Sequence, residues 1–370
     1  MKTVLITGAA GFIGRNLFHE LARDPDLLIR TFEITDNHDV LRDALKSTDL
    51  VYHLAGVNRP EDNEQFRIGN VALTRTITDL LEQHGRHPPI VFSSSTQATN
   101  DTPYGRSKNV AEEVLRSYNR RTEGPVRIYR LPNVFGKWSR PNYNTVVATF
   151  CHKIARGQRI NISDPTRVME LVYIDDVVAE FRKALHTTSP PERTEYEVAP
   201  SFHVTLGELA DTIRGLHQSR ALRVPPDLGD QFTRRLYATF ASFLPAEQLA
   251  CPVDLKRDQR GWLFEFIKSD NAGQVFVSKT RPGVTRGNHF HDSKVEKFCV
   301  VQGTALIKLR AVDGEELFEY VVSGQRIRLV DIPPGYTHSI ENIGDSEMIA
   351  LFWASEVFDP DRPDTYACPV

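Results

Sequence analysis

Cysteine is scarce in this 370-residue chain: Cys151, Cys251, Cys299 and Cys368 are the four, and they lie far apart. No two stand in the short spacing of a disulfide framework or a CxxC metal site, a pattern that predicts a reducing compartment. An excess of charge of one sign is missing too. Lysine and arginine number 45 against 48 acidic residues, a net charge of -3 without long blocks of either sign. That balance excludes a broad electrostatic face for nucleic acid or anionic membrane. No apolar run approaches the roughly 18 residues of a membrane span, and the stretch at residues 3–6 is too short for a signal peptide. The expectation is a cytoplasmic enzyme with no nucleic-acid and no membrane partner, long enough for two domains.

What is there changes texture partway along. Strand-like runs at 3–6, 50–54, 90–92 and 126–130 alternate with helix-period stretches at 13–21, 71–81 and 107–118. This alternation predicts an α/β, Rossmann-like, doubly wound parallel sheet. A helix is expected at 232–243. Beyond about residue 250, strand candidates follow closely, at 262–267, 274–280, 298–301, 305–310, 317–322, 326–329 and 348–352. Turn signals such as Arg281-Pro282-Gly283, Val312-Asp313-Gly314 and Pro333-Pro334-Gly335 punctuate them, predicting an all-β sandwich or jelly roll. The expected domains are 1–248 and 249–370.

Gly8-Ala9-Ala10-Gly11-Phe12-Ile13-Gly14 follows the first strand and opens the first helix. In that context the glycines tighten a turn and let a pyrophosphate approach the helix N-terminus, where free N–H groups favour anions. Glu33, nineteen residues after Gly14, is placed to bond a ribose 2′-hydroxyl and favours NAD, whereas Arg15 and Arg30 suit a 2′-phosphate. The residues themselves leave the two cofactors level.

Tyr104 and Lys108 are four apart at the start of a helical pattern, hence on one face. A lysine there is expected to lower the phenol pKa and make it a proton donor or acceptor near neutrality. Ser93-Ser94-Ser95 ends a strand candidate, where a hydroxyl can hold a carbonyl oxygen beside that phenol.

With His53-Leu54-Ala55-Gly56, Arg130-Leu131-Pro132-Asn133-Val134-Phe135-Gly136 and Tyr173-Ile174-Asp175-Asp176-Val177, this ensemble resembles the extended short-chain dehydrogenase/reductases acting on nucleotide sugars. The resemblance implies catalytic Ser95, Tyr104 and Lys108, with Ser94 the alternative for the first. It implies a cofactor side made of Gly8, Gly11, Phe12, Ile13, Gly14, Arg15, Glu33, His53, Leu54, Ala55, Gly56 and Asn70, with Tyr104 and Lys108 also touching the cofactor. One departure is the nine-residue step from Ser95 to Tyr104, which predicts a trimmed loop over the site.

The second half carries Gly283-x5-His289-x-His291-x4-Glu296-x6-Gly303 and Pro333-x-Gly335-x2-His338-x3-Asn342. His-x-His puts two imidazoles on one strand face, and Glu296 and His338 can converge from neighbouring strands. Three imidazoles and a carboxylate suit a divalent zinc, iron, manganese or nickel ion. Both stretches are similar to the two motifs of the cupin superfamily, except that eight residues rather than five separate Gly324 from Pro333, which predicts a longer hairpin.

The tandem order, with Leu54-Ala55-Gly56-Val57-Asn58-Arg59-Pro60, Pro141-Asn142-Tyr143-Asn144 and the run from Phe358 to Tyr366, resembles the bifunctional capsular-polysaccharide and O-antigen enzymes of the UDP-N-acetyl-L-fucosamine pathway. That resemblance implies a homodimer with NADPH in its reductase half, zinc in its cupin and a UDP-4-keto-6-deoxy-hexosamine substrate. The implied sequence is C3 epimerisation in the cupin, then C4 reduction to UDP-2-acetamido-2,6-dideoxy-L-talose. Two readings compete with it. Only the reductase half is catalytic and the cupin is a dimerisation module, or the first half is a redox-neutral epimerase and the cupin binds sugar.

Overall fold

The computed structural model describes residues 1–58, 62–186, 193–222, 224–252, 256–258, 261–263, 273–356, 359 and 361–370. Arg59, Pro60, Phe358, Pro360 and most of the strand expected at 262–267 lie outside them. The chain forms two compact units, Met1–Val146 with Val168–Val204, and Val147–Arg167 with Thr205–Val370.

In chain order the first unit begins β1 (Lys2–Thr7), α1 (Phe12–Leu21), β2 (Leu27–Phe32), α2 (His38–Leu45), β3 (Leu50–His53) and the single turn α3 (Glu64–Phe66). A π-helical turn, Arg67–Ala72, leads into α4 (Leu73–Gln83), followed by β4 (Ile90–Ser95), α5 (Pro103–Thr122), β5 (Val126–Leu131) and β6 (Asn133–Phe135). α6 (Val146–Ala155) intervenes before β7 (Val168–Tyr173), α7 (Ile174–Arg182), β8 (Glu195–Tyr196) and β9 (Ser201–Thr205).

Six strands form one parallel sheet in the order β2-β1-β3-β4-β5-β8, as expected. The order reverses between β1 and β3, the position at which doubly wound sheets bind ligands. Val4, Leu5, Ile6, Val51, Tyr52 and Phe92 are buried, the continuous apolar filling required of strands covered on both faces. One cover is built by α2, α4 and α5, whose Leu41, Leu45, Ile77, Leu81, Ala111 and Leu115 join Leu5, Val51 and Ile90 in a single core.

The second unit contains α8 (Leu206–Leu222), α9 (Gln231–Ala241), and β10 (Ala250–Pro252), β11 (Lys256–Asp258) and β12 (Gly261–Leu263). There follow β13 (Gln274–Thr280), β14 (Thr285–Phe290), β15 (Glu296–Gln302), β16 (Thr304–Ala311), β17 (Leu317–Ser323), β18 (Arg328–Ile332), β19 (Tyr336–Asn342), β20 (Met348–Ala354) and β21 (Tyr366–Ala367). β11 and β12 pair with each other, and the other ten strands make two five-stranded antiparallel sheets, β10-β18-β15-β20-β13 and β17-β16-β19-β14-β21. The strand expected at 326–329 begins two residues later, at Arg328.

Where the change of texture in sequence falls at 248/249, the contacts group α6, α8 and α9 with the β sheets. Buried charge explains part of that grouping. Arg220 of α8 and Lys297 of β15 both pair with Asp331 of β18, which is 3% exposed. Removing one member of such a triad would leave an uncompensated buried charge.

Candidate active site and candidate metal centre

The glycine loop lies at the carboxyl ends of β1 and β3. Gly11 caps α1 without any side-chain acceptor, so the first-turn N–H groups remain available for an anion. Gly14 has no alternative: a Cβ there would stand 2.1 Å from the Gly8 carbonyl oxygen. Gly8, Gly11, Phe12, Ile13, Gly14, Arg15, Leu54 and Gly56 line a cleft of about 900 Å³. Glu33, just past β2, accepts from the Ala10 N–H at 2.7 Å, so its carboxylate reaches the glycine loop. Arg30 instead contacts the Asp43 carbonyl, at 3.4 Å.

Ser93, Ser94, Ser95, Tyr104 and Lys108 line the same cleft. Thr102 caps α5 by accepting from the Gly105 N–H at 3.0 Å, which places Tyr104 in the first turn and Lys108 one turn on. The nine-residue step is closed by a 3-10 turn, Thr96–Thr99. Gly105 makes this possible, since a Cβ there would lie 2.4 Å from the Gln97 and Asn100 carbonyl oxygens.

Ser95 is the side chain that acts on the Tyr104 phenol, pulling its pKa down. Ser94, in the same lining, donates to Glu112 Oε1 at 2.5 Å, so its hydroxyl is engaged with that carboxylate. The expected lowering of the phenol pKa does not appear. Burial raises Tyr104, and Ser95 only opposes this.

Lys108 is itself the perturbed group. Burial pulls its pKa down to about 8, against the opposing pull of Glu112. Its ammonium donates to the Ser93 carbonyl at 3.0 Å and sits 4.9 Å over the Phe92 ring.

Two residues expected to touch the cofactor have other work. His53 is fully buried, with one ring nitrogen 2.8 Å from Thr7 Oγ1 and the other 2.9 Å from Thr74 Oγ1. It ties β1, β3 and α4 beneath the cleft, and burial together with Lys108 lowers its pKa to about 3. Asn70, in the π turn, clamps the Val57 backbone from both sides, accepting at 2.8 Å and donating at 3.2 Å, and donates to Ser107 of α5 at 2.9 Å. It holds the loop after β3 against α5, and π turns recur at functional sites.

Sequence reading missed Glu112, four residues beyond Lys108 and fully buried. Burial alone would raise its carboxyl, but bonds from Arg130, Ser94 and Arg116 hold it below the ordinary carboxylate range. The Lys-to-Glu spacing is the only sequence signal that could have found it. The cleft is lined also by residues 131–134 and by most of 138–145, including Asn133, Trp138, Arg140 and Tyr143.

In the second unit, His289, His291, Glu296 and His338 offer ligand atoms that all lie within 4.8 Å of one another. His289 and His338 are register partners on β14 and β19. Glu296 comes from β15 in the other sheet rather than from a neighbouring strand. A bulge at Asn288, φ +58°, interrupts β14 just before His289 and re-aims the side chains that follow.

His291 and His338 Nε2 stand 3.1 and 3.2 Å from Glu296 Oε2, yet neither buried nitrogen finds a hydrogen bond among the described residues. Tetrahedral donors around a zinc-sized ion sit about 3.3 Å apart. The donor set therefore fits a divalent cation. Without one, burial and the neighbouring His338 and His291 depress His289 to about 4. Glu296 stays low because the two histidines beside it outweigh burial. Asp364, whose carbonyl takes the His291 Nδ1 contact at 2.5 Å, was not singled out from sequence.

Residues 4–199 match the NAD dependent epimerase/dehydratase family, and residues 256–366 match the polysaccharide biosynthesis C-terminal domain. Over 367 residues the chain is 42% identical to UDP-2-acetamido-2,6-beta-L-arabino-hexul-4-ose reductase of Pseudomonas aeruginosa, covering 99% of this chain and 98% of that one. The crystal structure of the capsular polysaccharide assembling protein CapF from Staphylococcus aureus matches with a TM-score of 0.68 and 43% identity, covering 100% of both chains. UDP-glucuronic acid 4-epimerase from Bacillus cereus, solved with NAD, shares the fold over 58% of this chain and 84% of its own, at a TM-score of 0.52 and 19% identity. With its glycine loop, serine–tyrosine pair and buried lysine assembled in one cleft, the chain belongs to the NAD dependent epimerase/dehydratase family.

Proposed function

We propose that this chain is a bifunctional nucleotide-sugar enzyme of polysaccharide biosynthesis. It epimerises C3 of a UDP-4-keto-6-deoxy-N-acetylhexosamine at the metal centre of a cupin-type β unit, and reduces the C4 ketone in the first unit. The observation that carries the reductive half is that Ser95, Tyr104 and Lys108 line the cleft that holds the glycine loop. The full-length likeness to a 4-ulose reductase supports the substrate class.

A reduced nicotinamide bound in that cleft would supply the hydride. The chain's own residues do the rest. Ser95 orients the ketone oxygen, Tyr104 delivers a proton to it, and Lys108 lends positive charge from beneath. Its depressed pKa lets that charge respond to pH near neutrality. Arg140, 5.0 Å over the Tyr143 ring, also lines the cleft and would offer its guanidinium to the nucleotide's diphosphate. NADPH is our choice of donor, with NADH the competitor: Arg15 lines the cleft, while Glu33 is already engaged by Ala10.

A C4 ketone acidifies the C3 hydrogen, so an electrophilic centre near that oxygen favours enolisation. A divalent ion held by His289, His291, Glu296 and His338 would supply that charge. The closed four-donor set also favours a second reading, in which the ion only staples the strands.

The test is product analysis by NMR after incubation with the UDP-4-keto sugar, with and without NADPH. We expect one NADPH oxidised per sugar reduced, and none with Tyr104→Phe. Unchanged NADPH oxidation in that variant would refute the reductive assignment.

A further inference from the structure

The segment 363–370 packs on the metal centre at several points. The Asp364 carbonyl lies 2.5 Å from His291 Nδ1, and a carbonyl can only accept, so Nδ1 carries the proton. That fixes the tautomer and turns the lone pair of Nε2 toward Glu296 and His338. The Asp364 carboxylate accepts from the backbone N–H groups of Asp292, Ser293 and Lys294 at 2.8, 3.2 and 2.9 Å, and from Ser293 Oγ at 3.2 Å. Those three belong to the four residues that join His291 to Glu296, so one side chain braces the spacing between two ligands.

The same segment reaches the other two ligands. β21 pairs with β14, placing Ala367 opposite His289. Cys368 donates its N–H to the carbonyl of the bulge residue Asn288 at 2.8 Å, and its own carbonyl accepts from Thr337, next to His338, at 2.5 Å. Asp364 itself holds φ +40°, a conformation unfavourable for a residue with a Cβ and sustained only where the surroundings hold it in place.

We propose that residues 363–370 form a strap that completes the metal centre, with Asp364 as a positioning residue that sets affinity for a divalent d-block cation. The inference rests on the metal-site part of the proposed function and not on the ion's catalytic role. Outer-shell partners of this kind contribute about 10- to 100-fold in metal affinity.

The full chain would be stripped of metal and titrated with zinc against a chromophoric chelator, beside Asp364→Ala, Asp364→Asn and Thr337→Val. Asp364→Ala is expected to bind zinc about 10- to 100-fold more weakly, and Asp364→Asn to recover part of the loss. Cobalt loaded into Asp364→Ala should show shifted ligand-field bands, which general loosening elsewhere would not produce. If Asp364→Ala does not fold, weaker zinc binding by Thr337→Val carries the proposal, and parental affinity in that variant overturns it. A folded Asp364→Ala with parental zinc affinity also overturns it. A parent chain that binds no zinc overturns the metal site and the strap together.

Discussion

Lys108→Met should make the cofactor-free protein more stable while nearly abolishing reduction. Burial lowers the Lys108 pKa from 10.5 to about 8, a difference worth about 3 kcal/mol at about 1.4 kcal/mol per unit. At pH 7 the lysine is charged in both the folded and the unfolded chain, so the folded state bears this penalty in full. Between pH 8 and 10.5 the folded chain releases its proton while the unfolded chain keeps it, so parental stability rises with pH over that window. Methionine removes the penalty and loses the bond to the Ser93 carbonyl, worth about 1–2 kcal/mol.

The net expectation at pH 7 is a gain of about 1–2 kcal/mol, a thermal midpoint higher by roughly 2–6 °C. Activity should fall by about 100-fold or more. Thermal melts of both proteins at pH 7 and pH 10 read the effect, and the advantage of the variant should shrink at the higher pH. A variant less stable than the parent at pH 7, by an amount that does not change with pH, would refute the reasoning.

Other substitutions separate neighbouring roles. Ser95→Ala should reduce kcat for ketone reduction by about 100-fold, while Ser94→Ala, whose hydroxyl serves Glu112, should cost less than about 10-fold in the same steady-state assay. His53→Ala orphans the Thr7 and Thr74 contacts and opens a cavity under β3, so urea unfolding should show a loss of about 2–4 kcal/mol. Gly105→Ala forces the start of α5 away from the Gln97 and Asn100 carbonyls. It should lower kcat by displacing Tyr104 while leaving dinucleotide affinity within about threefold of the parent, measured by fluorescence titration.

Short-range patterns explain what could be read from sequence alone. The glycine loop, the Tyr104/Lys108 spacing and the alternation of strands and helices are local, and each reappears where its period places it. The four metal-site residues also converge, because His-x-His and the turn to Glu296 are local, with only His338 arriving from a distant strand.

The misreadings are long-range. That His53 points under the sheet instead of into the cleft depends on Thr7 and Thr74 meeting it from other elements. The raised Tyr104 pKa depends on burial that only packing decides. The role of Asp364, about 70 residues from the turn it clamps, is invisible to any windowed reading.

The division of labour between the two units is tested most directly by hydrogen exchange at C3. The UDP-4-keto sugar would be incubated in deuterated water without NADPH, and the C3 proton followed by NMR. The account predicts exchange with the parent and with Tyr104→Phe, and none with His289→Ala or His338→Ala. Exchange that disappears in Tyr104→Phe, or persists when the metal ligands are removed, would contradict it.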